Sequence, residues 1–406
     1  TMSGTTGSLT LDIVLVFLCL GALLSGYRQG GFSAVLSFVG VILGGFFGVK
    51  LVPLAVHLAE DKAPDSYSAR FFAALLTVTV VVVMGYAIGS GIGTRLRDKI
   101  RTREALRAES LVGAIVQVFT TLLIVWLILV PIAAGNIGGL GKAIRGSKIL
   151  SSVGNAAPAW FKQLPAQTSQ LINDSGFPMI ADPMENLPTA EVDPPDNALM
   201  RSPAVTNTRD SVLRVVGEAE KCKRLLQGSG WVVAEDTVMT NAHVVAGTNK
   251  VTLATKDGPH EAEVVYYNPQ VDIALLHSDN LPYVPMKWAE GEGQQGQDAI
   301  VMGYPNGGPF KASPARIREK FVVSGPNIYA DSRVERESYS LRGSVVQGNS
   351  GGPLIDTDGH VLGLVFGADM NEKDTGYALT REEVMSHVGD VTSHRGHIET
   401  GACVAD

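Results

Sequence analysis

Charge is scarce in the first third of this chain, and cysteine is scarce throughout. The 406 residues carry 33 Lys and Arg against 40 Asp and Glu, a formal net charge of −7. Without a basic excess, nothing marks a nucleic-acid partner. Only three cysteines occur, Cys19, Cys222 and Cys403, and no internal repeat is visible. No cleavable signal peptide is expected at the start. The first apolar run lacks a basic flank ahead of it, and a second run follows at once. The residues after about 140 read as a soluble chain, so the averages hide two unlike halves.

Four apolar runs fill the charge-poor part: Leu9 to Gly26, Phe32 to Leu58, Phe71 to Thr94 and Leu111 to Ala134. Each reaches the roughly 20 apolar residues that a bilayer core requires. One such run could be a buried core helix. Four in succession predict a four-helix transmembrane domain over 1–134, in contact with the lipid bilayer. Asp12 and Lys50 interrupt the pattern, and Lys50 is expected to reach an interface near the end of the second span. Gly40, Gly44, Gly45 and Gly48, with Gly85, Gly89 and Gly93, either allow close helix approach or reflect the ordinary glycine content of membrane helices. Arg95, Arg97, Lys99, Arg101, Arg103 and Arg107 cluster between spans three and four. Positive loops face the cytoplasm, which puts both chain ends outside it. Lys142, Arg145 and Lys148 on the outer side run against that rule.

Prolines then punctuate the chain: Pro158, Pro165, Pro178, Pro183, Pro188, Pro194, Pro195 and Pro203. Residues 135–204 read as a proline-rich tether with a short helix over 165–172. Past Ser211, short β-rich runs alternate with glycine and Asn/Asp turns. Examples are 211–216, 230–233, 251–254, 262–267, 273–277 and 361–366. This spacing predicts two packed antiparallel barrels, the second beginning near Val284.

Three motifs in the soluble half carry chemistry: Thr240-Asn241-Ala242-His243-Val244-Val245, Asp272-Ile273-Ala274-Leu275, and Gly348-Asn349-Ser350-Gly351-Gly352-Pro353. A serine is a poor nucleophile until a base takes its proton, and an imidazole needs an anion to fix its tautomer. His243, Asp272 and Ser350 supply base, carboxylate and nucleophile in that order. Each alone would be a packed histidine, a turn carboxylate or a turn serine. The glycines beside Ser350 allow backbone N–H groups to turn toward a developing oxyanion.

These motifs resemble the chymotrypsin-fold serine proteases, above all the HtrA-like branch, over about 205–400. Gly228-Ser229-Gly230-Trp231 and Gly303-Tyr304-Pro305 fit as well. The resemblance implies an all-β double barrel over 205–406 with the site between the barrels, and no cofactor or metal. It implies oxyanion donors at the Gly348 and Ser350 N–H groups. It puts Ser344 near the floor of the specificity pocket, and Leu364, Val365, Phe366 and Gly367 on a strand edge that pairs with substrate. No carboxylate stands near Ser344, so a small or apolar residue is expected before the cut. HtrA proteins continue into a peptide-binding PDZ domain, which is not expected here. The membrane half resembles the colicin-V-production family. Together the halves are similar to a mycobacterial type of membrane-bound periplasmic serine protease linked to acid resistance. That likeness implies an envelope endopeptidase, with cell-wall hydrolases among the plausible substrates. An idle protease-fold sensor and a membrane scaffold are the competing readings, and the intact His, Asp and Ser argue against the first.

Cys19, inside span one, reads as apolar filler. If the C-terminal half is extracytoplasmic, the compartment permits a Cys222–Cys403 bridge, the alternative being two free thiols. So long a loop would contribute about 5 kcal/mol at most by chain entropy.

Overall fold

Helices α1 (Met2–Gln29), α2 (Gly31–Glu60), α3 (Tyr67–Arg97) and α4 (Arg103–Ala134) account for the charge-poor third. The computed structural model describes residues 2–60, 67–99, 102–134, 141, 143–144, 146–157, 190–222, 224–369 and 374–404. The chain divides into two compact units, one with these helices and one with the β-strands. All four helices are long and apolar enough to cross a membrane. Apolar side chains are exposed all along them, Phe17, Leu24, Leu76 and Phe119 among others. That surface suits hydrocarbon rather than water.

Close backbone contact between α2 and α3 explains the glycines. A Cβ on Gly40 would lie 2.1 Å from the Gly85 carbonyl oxygen, and one on Gly89 would lie 2.1 Å from that of Leu36. Small residues are therefore obligatory here, and glycine enrichment alone is not the explanation. Lys50 does not end its helix. α2 runs through Pro53 to Glu60, and the Lys50 ammonium lies 6.0 Å from the Phe46 ring centroid. At the opposite end Arg97 joins three helices. Its Nε lies 3.2 Å from Glu109 Oε2, its Nη2 donates to Ser110 Oγ (3.0 Å), and its Nη1 donates to the Arg28 carbonyl. Glu109 Oε1 also accepts from the Phe32 N–H at the α1–α2 turn (3.0 Å).

The stretch read as a tether contains a helix, α5 (Lys148–Ala156). Its first turn is capped by Ser147, whose Oγ accepts from the Leu150 N–H and donates to Asp12. Asp12 also accepts from the Lys148 N–H (3.2 Å). A carboxylate in span one thus completes a helix start more than a hundred residues away. Proline spacing says nothing about such a partner. The helix expected over 165–172, and most of the proline-rich segment, lie outside the described residues. The tether's last part packs into the β unit, where Ala204 and Val205 are buried.

Twelve strands build two closed six-stranded antiparallel barrels. The first holds β1 (Val212–Ala219), β2 (Arg224–Ala234), β3 (Thr237–Thr240), β4 (Lys250–Thr255), β5 (Gly258–Asn268) and β6 (Ile273–His277). The second holds β7 (Asp298–Gly303), β8 (Lys311–Pro326), β9 (Arg333–Gly343), β10 (Pro353–Ile355), β11 (Val361–Ala368) and β12 (Thr375–Thr380). Two short helices flank them, α6 (Pro203–Thr208) and α7 (Arg381–Val388).

The apolar runs at β6 and β11 have a double duty. Ala274 and Leu276 fill the first barrel, while Ile273 and Leu275 face the layer between barrels. Leu362 and Val365 fill the second barrel, while Leu364 and Phe366 face the shared layer. A strand buried on both faces reads as a continuous apolar run. Trp231 is fully buried in the shared layer, edge-on to Trp288 with centroids 5.1 Å apart. Burying each large side chain contributes about 1.5–3 kcal/mol, and this layer fixes how the barrels face each other.

Candidate active site

His243 sits in a 3-10 turn, Ala242–Val244, just past β3. Asp272 immediately precedes β6 and has φ +67°. That left-handed conformation is uncommon outside glycine, although aspartate tolerates it better than most residues. Local bonds hold it: the Asp272 N–H donates to the Asn268 carbonyl (3.0 Å), and Asn268 Oδ1 accepts from the Gln270 N–H (3.1 Å). The turn aims the carboxylate at His243. Oδ2 lies 2.8 Å from Nδ1, and Oδ1 accepts from the His243 backbone N–H at 2.9 Å. Asn241 Nδ2 donates to the Asp272 carbonyl (2.8 Å). With Nδ1 turned to the carboxylate, Nε2 is the nitrogen left to exchange a proton. His243 is 7% exposed and Asp272 1%, so the pair is shielded from bulk water.

Ser350 lies in the turn that leads into β10. Asn349 shapes this turn, accepting from the Val346 N–H at Oδ1 and donating its own N–H to the Val346 carbonyl, both at 3.0 Å. The first barrel then grips it. The Ser229 N–H donates to the Ser350 carbonyl (2.8 Å), and Ser229 Oγ donates to the Gly348 carbonyl (2.6 Å) while accepting from the Tyr304 N–H (2.9 Å). Gly348 has φ +92° and Gly351 φ +83°. A Cβ on Gly351 would lie 2.1 Å from the Ser229 carbonyl oxygen, so a side chain is excluded by both backbone and space. Among the described residues, neither the Gly348 N–H nor the Ser350 N–H donates to a protein acceptor. Two unpaired N–H groups on one tight turn can bind an anionic oxygen.

The histidine turn and the serine turn both pack against Gly228. A Cβ on Gly228 would lie 2.6 Å from Val244 Cγ2 and 3.1 Å from the Ser350 carbonyl oxygen. No hydrogen bond joins Ser350 Oγ to His243 among the described residues. Such bonds are commonly loose before substrate arrives.

Leu364 and Val365, expected on a strand edge, already have strand partners. Leu364 pairs with Pro353 and with Leu379. Val365 pairs with Ala378 and exchanges bonds with Gly351 and Gly352 at 2.8 and 2.9 Å. A bulge lies between Val365 and Gly367. Ser344 is exposed. The neighbouring Val345 is buried and packs onto β12, where a Cβ on Gly376 would lie 2.2 Å from Val345 Cγ2.

Ser229 is the residue that sequence reasoning passed over. It was legible only as the middle of a Gly-Ser-Gly run, because its partners, Gly348 and Tyr304, belong to the other barrel. Cys222 and Cys403 form a disulfide with Cα atoms 6.2 Å apart. The tail it secures runs behind the histidine loop, where the Gly247 N–H donates to the Thr400 carbonyl (3.0 Å). Asp356, Asp358 and His360 have the spacing of metal ligands. They share a turn where Asp356 Oδ1 accepts the Asp358 and His360 N–H groups at 2.9 and 2.8 Å.

Comparisons with known proteins give the family. The trypsin-like peptidase domain family matches residues 228–364, and the Colicin V production protein family matches residues 11–158. Serine protease Rv3671c of Mycobacterium tuberculosis is 42% identical over 402 residues, spanning 98% of this chain and 100% of that protein. A probable periplasmic serine endoprotease, DegP-like, of Halomonas elongata is 32% identical over 156 residues, 36% of this chain and 30% of that protein. The crystal structure of the Rv3671c protease in its active form has a TM-score of 0.53 and 45% identity, and covers 56% of this chain and 100% of that one. The chain belongs to the HtrA-like serine protease family of Rv3671c, which joins a Colicin V production domain to a trypsin-like peptidase domain.

Proposed function

We propose that this hydrolase is a membrane-anchored, extracytoplasmic serine endopeptidase working through His243, Asp272 and Ser350. The observation that carries the reading is the 2.8 Å contact of His243 Nδ1 with Asp272, beside a serine turn with two unpaired N–H groups. Ser350 Oγ attacks the scissile carbonyl carbon and passes its proton to His243 Nε2. Asp272 holds the imidazole and stabilises its cation. The Gly348 and Ser350 N–H groups receive the oxyanion, and losing one such donor typically costs about 100- to 1,000-fold in rate. His243 then protonates the leaving amine, and the C–N bond breaks to leave an acyl-enzyme on Ser350. Water, deprotonated by His243, attacks the ester and releases the acid.

The substrate backbone pairs with the edge that begins at Phe366 and Gly367. Val345 packed over Gly376 favours a small or apolar residue before the cut. The arginine-rich loop supports an orientation with the protease on the outer side of the membrane, within reach of envelope proteins such as cell-wall hydrolases; the family resemblance suggests service under acid or envelope stress. Ser350→Ala and His243→Ala in the full-length protein should each abolish peptide cleavage at an unchanged melting temperature. Comparable turnover in either variant would sink the assignment.

A further inference from the structure

Arg336, on β9 of the second barrel, is 2% exposed. Burying a guanidinium is costly unless a carboxylate pairs with it. Among the described residues no carboxylate comes within hydrogen-bond distance. Nη2 donates to the carbonyls of Gln270 (2.7 Å) and Pro326 (2.9 Å), and Nε is unpartnered. An apolar side chain of similar volume would commonly stabilise the fold as well or better, so stability is a poor explanation for this charge.

Its location offers a better one. Gln270 stands two residues before Asp272, in the turn that sets the left-handed Asp272 backbone. The same residue is braced from its side chain, where Oε1 accepts from Ser332 Oγ (2.7 Å). Arg336 thus reaches from one barrel to clamp the turn of the other that aims the carboxylate at His243. Burial lowers its pKa, and the anions that act against that loss are Asp272 and then Glu383. Glu383 is itself occupied, accepting from the Glu337 N–H and lying against His387 Nε2, both at 3.0 Å.

We infer that Arg336 is a positioning residue for the proteolytic reaction: its guanidinium holds the backbone of the turn that leads into Asp272, and so the aim of the Asp272 carboxylate at His243. The inference rests on the triad reading.

The test is the rate of Ser350 labelling by a fluorophosphonate, measured on the full-length protein in detergent. Arg336→Met should lower the plateau rate by roughly 10- to 100-fold while the half-saturating probe concentration stays the same. Arg336→Lys, which keeps the charge and loses the fork, should recover only part of that loss. A wild-type plateau in Arg336→Met overturns the inference, and so does a half-saturating concentration that rises in step with the loss of rate. If that variant fails to fold, a wild-type plateau in Arg336→Lys overturns it. Labelling that survives His243→Ala at the wild-type rate would instead indict the triad reading.

Discussion

Ser229 is fully buried in β2, and its hydroxyl joins the Gly348 carbonyl to the Tyr304 N–H. That link holds the Gly348–Asn349 peptide plane, and through the Gly348 backbone the neighbouring N–H proposed to receive the oxyanion. Ser229→Ala should lower kcat by roughly 10- to 100-fold with little change in KM, since small misplacements in a site have effects of this size. Equal kcat would show that the turn holds its shape unaided. Asp272→Asn keeps a residue tolerant of φ +67° but removes the charge and the acceptor that sets the tautomer. A loss of about 10⁴-fold in kcat, with the fold retained by circular dichroism, is expected.

Among the elements, the C-terminal tail and the α2–α3 pair are held by different physics. Behind the histidine loop, Tyr267 Oη and Tyr329 Oη lie 2.6 Å apart, and Tyr329 donates to the Ala402 carbonyl (3.0 Å). Burial, then the bond to Tyr329, raises the Tyr267 pKa, and burial raises that of Tyr329. An unfolded tyrosine ionises near pH 10. Above that pH the folded state holds protons the unfolded state has lost, so stability present below about pH 10 falls as pH rises further. The melting temperature should therefore drop between about pH 10 and 11, and Tyr267→Phe should flatten the drop. A parallel drop in the variant would assign the alkaline loss elsewhere. In the helical unit, Gly89→Leu has no room for its side chain against the Leu36 carbonyl. It should separate α2 from α3 and lower the melting temperature in detergent, whereas substitution at Gly91, which faces open space, should not.

For the molecule as a whole, the Cys222–Cys403 bridge closes a separation of 181 residues. Chain entropy puts its contribution at about 5 kcal/mol or less. Reduction should lower the melting temperature and expose the tail beyond Ile398 to proteolysis, which limited digestion under matched redox conditions would register. Orientation in the membrane is a separate question. A cysteine placed on the β unit should react with a membrane-impermeant thiol reagent on intact cells, and one placed near Arg101 should not. The reverse pattern would overturn the charge argument and leave the bridge in a reducing compartment.

The apolar runs, the three motifs and the alternating strand pattern were legible in the linear chain because each is a local signal. A span needs length and hydrophobicity, and the histidine, aspartate and serine motifs need specific near neighbours. Strands β8 and β9 were not legible: prolines and charges break their pattern, and only pairing across the second barrel makes them strands. The helix α5 was hidden because its cap depends on Asp12 in the first span. Ser229 and Arg336 escaped notice for the same reason, since each acts on a turn of the opposite barrel. The strand partners of Leu364 and Val365 in the 364–367 run were likewise set by the packing of β11, not by its sequence. Local propensity and periodicity can be read from neighbours along the chain, whereas a cap, a clamp or a free edge exists only once distant residues are packed together.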